Sequence, residues 1–282
     1  MLFEITPFSL LDYPKEMACI AWIAGCNMRC AYCHNPAIVL GKGTKPDDEL
    51  IAFLEKRIGK LTAVVFSGGE ATLYAGLPDL MRRVRAMGFK IKLDTNGSRP
   101  DVLRGLLDEK LLDYVALDYK CPLEKTKALI GTAKLWKPFR ESLELLITAA
   151  GGDSAFTKTP SQKNSVIPAK AGIQSHKKPT GSPSPLDPRL RGDDKIGECA
   201  QEDEKKSIAL EVRTTFHPDL MDEADLAWII RDLESLNYKG TYYIQNIAST
   251  GEKTIGNIPA PSRTLDLSLL PKAQGFEVKV RN

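Results

Sequence analysis

The stretch MACIAWIAGCNMRCAYCHNP, residues 17–36, decides how the rest of the chain is read. Met17 to Ala24 is an apolar run that stops at Gly25, which predicts a buried strand. The chain then turns polar, and Cys26, Cys30 and Cys33 fall within eight residues in a C-x3-C-x2-C spacing. The same succession of apolar run and polar loop recurs downstream. Thr62 to Phe66 runs into Ser67-Gly68-Gly69-Glu70, and Phe89 to Leu93 into Asp94-Thr95-Asn96-Gly97. Tyr114 to Leu117 runs into Asp118-Tyr119-Lys120, and two further strands are predicted at Ile208 to Arg213 and Tyr242 to Ile247. Amphipathic helices are predicted between them at Pro46 to Ile58, Leu77 to Met87, Pro100 to Lys110, Pro138 to Ala150 and Glu223 to Leu236. Short strands alternating with helices indicate an α/β fold with a parallel sheet and right-handed crossovers. Six such units suit either an incomplete barrel or an open doubly wound sheet. Both bind ligands at the C-terminal ends of the strands, where every polar loop named above sits.

One segment breaks this rhythm. Residues 151–206 hold six of the eighteen prolines, with many Ser, Lys and Gly and no sustained period. Such a composition buries too little apolar surface to offset the entropy of ordering it, and a helix-to-strand connection normally takes about 2–6 residues. The organisation expected is therefore a core in two parts, 1–150 and 207–282, around a disordered low-complexity insertion at 151–206. The text SVIPAKAGIQ…LDPRLRGDD within it resembles translated palindromic repeat elements of bacterial genomes.

The insertion also explains the charge. Thr157 to Glu198 carries eight Lys/Arg against four Asp/Glu, so the formal +3 of the chain becomes −1 for the remainder. That remainder has no electrostatic footprint for nucleic acid. No apolar run reaches the roughly 18 residues that span a bilayer, and Met1 to Lys15 lacks the basic start of a signal peptide, so a cytoplasmic location without membrane attachment is expected.

Six cysteines without a secretory leader argue against a disulfide framework, and the clustering of three of them argues for a soft metal. Three thiolates can hold three corners of an iron–sulfur cubane and leave one iron open; structural zinc wants a closed set of four, and here only His34 stands near. Cys19 reads as a small buried hydrophobe, Cys121 as passive beside Lys120, and Cys199 as incidental. Each later loop also has a plain reading: turn glycines at Gly68 and Gly69, turn chemistry at Asp94 to Gly97, an exposed pair at Asp118 and Lys120. Arg213 either binds a ligand or closes an ion pair at a strand end, and His217 reads as a turn residue.

C-x3-C-x2-C with Tyr32 before the third cysteine resembles the cluster-binding signature of the radical S-adenosylmethionine (SAM) superfamily. Its extension Tyr32-Cys33-His34-Asn35-Pro36 looks like the activating enzymes of glycyl radical enzymes, as do Asp94-Thr95-Asn96-Gly97 and Asp118-x-Lys120. FSLLDYPKEMACIAWIAGCNMRCAYCHNP, residues 8–36, is most similar to the anaerobic ribonucleoside-triphosphate reductase activating proteins. The resemblance, which covers residues 1–140, implies a partial (β/α)6 barrel and a [4Fe–4S] cluster on Cys26, Cys30 and Cys33. It implies that Gly68, Gly69 and Glu70 receive the SAM amino group and that Lys120 pairs with its carboxylate. Tyr32, His34, Asp94, Asn96, Asp118, Arg213 and Gln245 complete the cofactor set, Gln245 standing where relatives often place a ribose-contacting His. The implied chemistry is reductive cleavage of SAM and hydrogen abstraction from a glycine of anaerobic ribonucleotide reductase, with a one-electron donor such as flavodoxin or ferredoxin. The competing classes are a small-molecule radical SAM enzyme of the deazaguanine-synthase kind and a non-catalytic metal or electron-transfer module.

Overall fold

The structure is a computed structural model that describes residues 1–151, 207–247 and 254–281. The expected insertion, with Cys199 inside it, lies outside the described residues.

The chain opens on a strand the apolar pattern did not mark, β1 (Leu2–Ser9), which pairs antiparallel with β2 (Ala18–Ile23). Its register slips between Leu2 and Glu4 and again between Thr6 and Ser9. Pro7, which cannot donate to a ladder, is tolerated because β1 is an edge. Then come α1 (Pro36–Leu40), α2 (Asp47–Glu55), β3 (Ala63–Gly68), α3 (Leu77–Ala86), β4 (Lys90–Thr95) and α4 (Pro100–Asp108). They are followed by β5 (Tyr114–Asp118), α5 (Thr126–Ile130), α6 (Trp136–Ala149), β6 (Ala209–Phe216), α7 (Glu223–Ser235), β7 (Thr241–Asn246) and β8 (Glu277–Arg281). All six predicted strands and all five predicted helices are present, with ends displaced by up to three residues: four of the strands run further at the C-terminal end, and the helices stop sooner.

The sheet order is β1 through β8 in sequence, with β2 to β8 parallel. The result is a partial barrel, in which β8 adds an edge strand beyond the six predicted ones. Alternation along the strands sorts the side chains into two layers. Cys19, Val64, Phe66, Ile91, Leu93, Val115, Leu117, Val212, Tyr242 and Ile244 are buried in one large cluster with apolar residues of α3, α4, α6 and α7. On the opposite face a small cluster of Tyr13, Ala18, Ile20, Ala63 and Val65 packs on the β2 and β3 side, beside the buried Lys92 of β4. Toward the C-terminal strand ends this face is polar, with Ser67, Asp94, Asp118 and Arg213.

Candidate active site

A cavity of about 280 Å³ opens at those strand ends. Its lining includes Cys26, Cys30 and Cys33 from the loop after β2, Gly68 and Gly69 after β3, and Asp94 and Asn96 at the end of β4. Asp118 and Lys120 after β5, Arg213 on β6 and Gln245 on β7 complete the circuit, with Tyr32 and His34 beside the cysteines. Thus residues far apart in the chain meet, and of the residues expected to bind cofactor only Glu70 is missing from the wall.

The cysteine loop is held from several sides. The Gly69 N–H donates to the Ile23 carbonyl at 2.9 Å and the Glu70 N–H to the Gly25 carbonyl at 2.8 Å. The two glycines are required by that closeness: a Cβ at Gly68 would lie 2.2 Å from the Ile23 oxygen, and one at Gly69 2.1 Å from the Gly25 oxygen. On another side Arg29 and Ala31 donate to the Ile130 and Leu129 carbonyls, each at 3.0 Å. On a third, Ile255 donates to the Cys33 carbonyl at 3.1 Å and Gly256 to that of Ala31 at 2.9 Å. Asn27 joins the loop after β4, accepting from Asn96 Nδ2 at 3.1 Å and donating to Ser98 Oγ at 2.8 Å.

Glu70 is 1 % exposed and turned away from the cavity. Its carboxylate accepts from the Thr72 N–H at 3.1 Å, the Thr72 hydroxyl at 2.5 Å, the Thr95 hydroxyl at 2.7 Å and the Asn96 N–H at 2.6 Å. It therefore clamps the loop after β3 to the loop after β4. Burial raises its pKa above the ordinary value, against the pull of those donors.

The charged wall is a chain of partners. Arg213 Nε donates to Asp118 at 3.0 Å, its Nη1 lies 3.5 Å from Asp94, and Lys120 Nζ donates to Asp118 at 2.9 Å. Lys92 Nζ holds the other Asp94 oxygen at 2.8 Å. Burial disfavours both aspartates as anions, but Arg213 and its lysine neighbours outweigh it and keep their pKa values low. Lys120 is shifted upward: burial opposes its charge, and Asp118 overcomes that. Asp118 and Lys120 are thus partly buried members of a network, not an exposed pair, and Arg213 both lines the cavity and closes ion pairs.

These residues fit an iron–sulfur cluster with SAM. Burial lifts the Cys26 thiol and pushes Cys30 up to about 11, so a bound metal is what would convert them to thiolates. The Tyr32 hydroxyl and both His34 ring nitrogens are buried without hydrogen-bond partners, polar atoms aimed at a ligand's space. Among the described residues no three His, Cys, Asp or Glu converge on a point suited to a single metal ion, whereas a cubane spreads its ligands over several irons. Cys19 is buried, with its thiol pushed up to about 12, and Cys121 lines a small, largely apolar neighbouring cavity. His217 is more than a turn residue: it is buried, with Nε2 3.1 Å from the Pro259 carbonyl. The cavity also includes Asp12, Trp22, Thr215 and Ile255, which the sequence reading passed over. Thr215 was legible two residues beyond Arg213 on one strand face; Ile255 was not, lying in a segment without pattern.

Fold and wall together define an α/β protein with a cysteine-bearing cofactor cavity at its parallel strand ends. Residues 20–156, just under half of the chain, match the Radical SAM superfamily. The cofactors that go with this match are a [4Fe–4S] cluster and SAM. Among curated proteins the chain is similar to a candidate glycyl-radical enzyme activating enzyme of Methanocaldococcus jannaschii, 38 % identical over 45 % of this chain and 52 % of that one. It is also similar to 7-carboxy-7-deazaguanine synthase of Methanopyrus kandleri, 33 % identical over 35 % of this chain and 47 % of that one. The chain spans about half the length of these curated relatives. In fold it is similar to Streptococcus suis SuiB, solved bound to S-adenosylmethionine, with a TM-score of 0.51, 11 % identity, and coverage of 83 % of this chain and 41 % of that one. No helix among the described residues is long and apolar enough to cross a membrane.

Proposed function

We propose that the protein is an activating enzyme that uses SAM to generate a glycyl radical on an anaerobic ribonucleotide reductase. Cys26, Cys30 and Cys33 would hold the cluster, and Tyr32, His34, Gly68, Gly69, Asp94, Asn96, Asp118, Lys120, Arg213 and Gln245 would surround the bound SAM. When bound, the two cofactors together supply reductive cleavage of the sulfonium and a carbon-centred oxidant. The chain's own work is positioning. The Lys120 ammonium faces the cavity as a partner for a carboxylate, and the backbone around Gly68 and Gly69 gives a substrate amine close approach. The triple bracing of the cysteine loop fixes the cluster relative to both.

The observation that supports a protein substrate is the open sheet. Its order runs from β1 to β8 with no pairing between those two strands among the described residues, so the cavity's side is not closed by a ladder. A glycine on a loop of a large partner needs such a side entrance. The likeness to a candidate glycyl-radical activating enzyme points the same way. The test is to mix anaerobically reconstituted protein, SAM and reductant with the cognate reductase and record electron paramagnetic resonance. A glycine-centred doublet is expected, and it is absent when the reductase glycine is replaced by alanine. Normal SAM cleavage without any radical on the reductase moves the assignment to a small-molecule radical SAM enzyme, the class represented by the deazaguanine synthase.

A further inference from the structure

We propose that the segment 123–137, together with Arg29, is the docking face for an acidic one-electron carrier protein. The inference rests on the proposed placement of the cluster on Cys26, Cys30 and Cys33. Reductive cleavage consumes one electron per SAM. Among the described residues the only cysteines outside the triplet are Cys19 and Cys121, both buried and single, so no second cluster relays that electron. It has to enter from outside, close to the triplet.

The segment lies against the loop that bears the triplet. Cys30 stands between Arg29 and Ala31, whose N–H groups donate to the Ile130 and Leu129 carbonyls, and a Cβ on Gly131 would lie 3.5 Å from Arg29 Cβ. Leu129 and Ile130 of the segment thus meet the loop on either side of Cys30. The outer surface of the segment has the make-up of an interface. Leu123 is 42 % exposed, and Ala128, Gly131 and Ala133 are exposed, giving a low apolar centre. Around it Lys127, Lys134, Lys137 and Arg29 are exposed, and none of these is ion-paired among the described residues. Lys125 is occupied by Asp225 at 2.5 Å, and Glu124 is the one acid in the segment. Lys137 sits in the first turn of α6, which holds no acidic side chain to offset the positive end of the helix dipole. The positive field is local, because the chain outside the Thr157 to Glu198 stretch carries a formal −1, so a small acidic carrier suits it better than an extended polyanion. Small, polar, electrostatically steered interfaces are the habit of redox encounters, which must form and part once per electron.

The step balances simply: the carrier is oxidised by one electron and the cluster is reduced by one. The test uses the reconstituted full chain and photoreduced flavodoxin as the probe, following cluster bleaching by stopped flow. Replacing Lys127, Lys134 and Lys137 together by Glu is expected to slow reduction by flavodoxin at least tenfold, as is raising the salt for the wild-type chain. Iron content and dithionite-driven SAM cleavage stay as in wild type. Equal rates with flavodoxin for the two proteins overturn the proposal, and so does a wild-type cluster that dithionite reduces and flavodoxin does not. A chain that reconstitutes with no cluster signal at all refutes the underlying placement instead, and that outcome is read before flavodoxin is added. The variant Lys127→Gln, Lys134→Gln, Lys137→Gln, with charge removed and not reversed, is expected to fall between the two.

Discussion

At Glu70 the backbone and the side chain of one motif serve different ends. A Gly-Gly-Glu triplet after a parallel strand invites the view that all three residues face the ligand. The positive φ of 129° at Gly68 swings the chain over the cysteine loop, and the Glu70 carboxylate ends among four donors behind the wall. Two of these donors are backbone N–H groups that cannot rotate to become acceptors. Glu70→Gln would face an amide NH2 or a weakened acceptor toward them, so a loss of about 1–3 kcal/mol in urea unfolding is expected. SAM affinity should change less than stability; the reverse result would place the carboxylate on SAM. For the cysteines the expectation divides sharply. Cys26→Ala, Cys30→Ala and Cys33→Ala should each abolish the iron–sulfur absorbance after reconstitution, whereas Cys19→Ala and Cys121→Ala keep it. Retention of a full cluster by any of the first three would refute the ligand set. Spacing made the triplet legible, because ligands within a span of eight residues share a loop whatever the fold. The direction of Glu70 was not legible, because it depends on a glycine torsion and on donors 25 and 26 residues away.

Most elements were legible where burial is one-sided or complete. The six inner strands, β2 to β7, are continuous apolar runs or clean alternations, and α3 and α4 bury Leu77, Leu80, Met81, Val84, Leu103 and Leu106 at helical spacing. The two edges were missed for a shared reason: an edge strand has a neighbour on one side only, and its sequence carries a weaker pattern. β1 contains Pro7 and two register slips, and β8 is five residues of which Val278 and Arg281 are only partly buried and the rest exposed. Yet β8 covers the rim of β7. Arg281 lies 3.3 Å from the centre of the Tyr243 ring and 3.3 Å from Glu211, while Phe276 packs on Tyr238 with ring centres 5.3 Å apart. Ending the chain after Leu270 removes these contacts but keeps Thr254 to Gly256, which brace the cysteine loop. The truncated protein is expected to lose about 2–4 kcal/mol of stability in urea while binding iron as before, if buried contacts at one strand carry the difference. Loss of iron with unchanged unfolding would instead assign the tail to the site.

Across the whole molecule, Met1–Ala155 and Ser207–Asn282 form one compact unit although Phe156–Lys206 separates them in sequence. α6 ends at Ala149 and β6 begins at Ala209, and β6 takes its place beside β5 with Ala209 paired to Tyr114 and Asp118 to Arg213. This is an ordinary helix-to-strand return within a parallel sheet, a step that a handful of residues normally makes. Every cavity residue named above comes from outside the long connection, including both partners of the Asp118–Arg213 pair that spans it. The composition of the connection, with six prolines and little apolar content, offers no means of burying a core of its own. Loop-closure entropy grows only as the logarithm of length, so such an insertion costs the fold little and its removal should return little: about 0.6 kcal/mol for each halving of the loop. Deleting Phe156 to Glu198 leaves residues 152–155 and 199–206 as a linker long enough for the return. The shortened protein is therefore expected to reconstitute the same iron content, cleave SAM at a rate within about twofold of the full chain, and unfold within about 1–2 kcal/mol of it. Parallel reconstitution of the two chains, with SAM cleavage followed by chromatography of 5′-deoxyadenosine, measures each of these. Loss of the cluster in the deletion would make the segment part of the site. Loss of solubility with the cluster retained would make it a surface this fold needs covered.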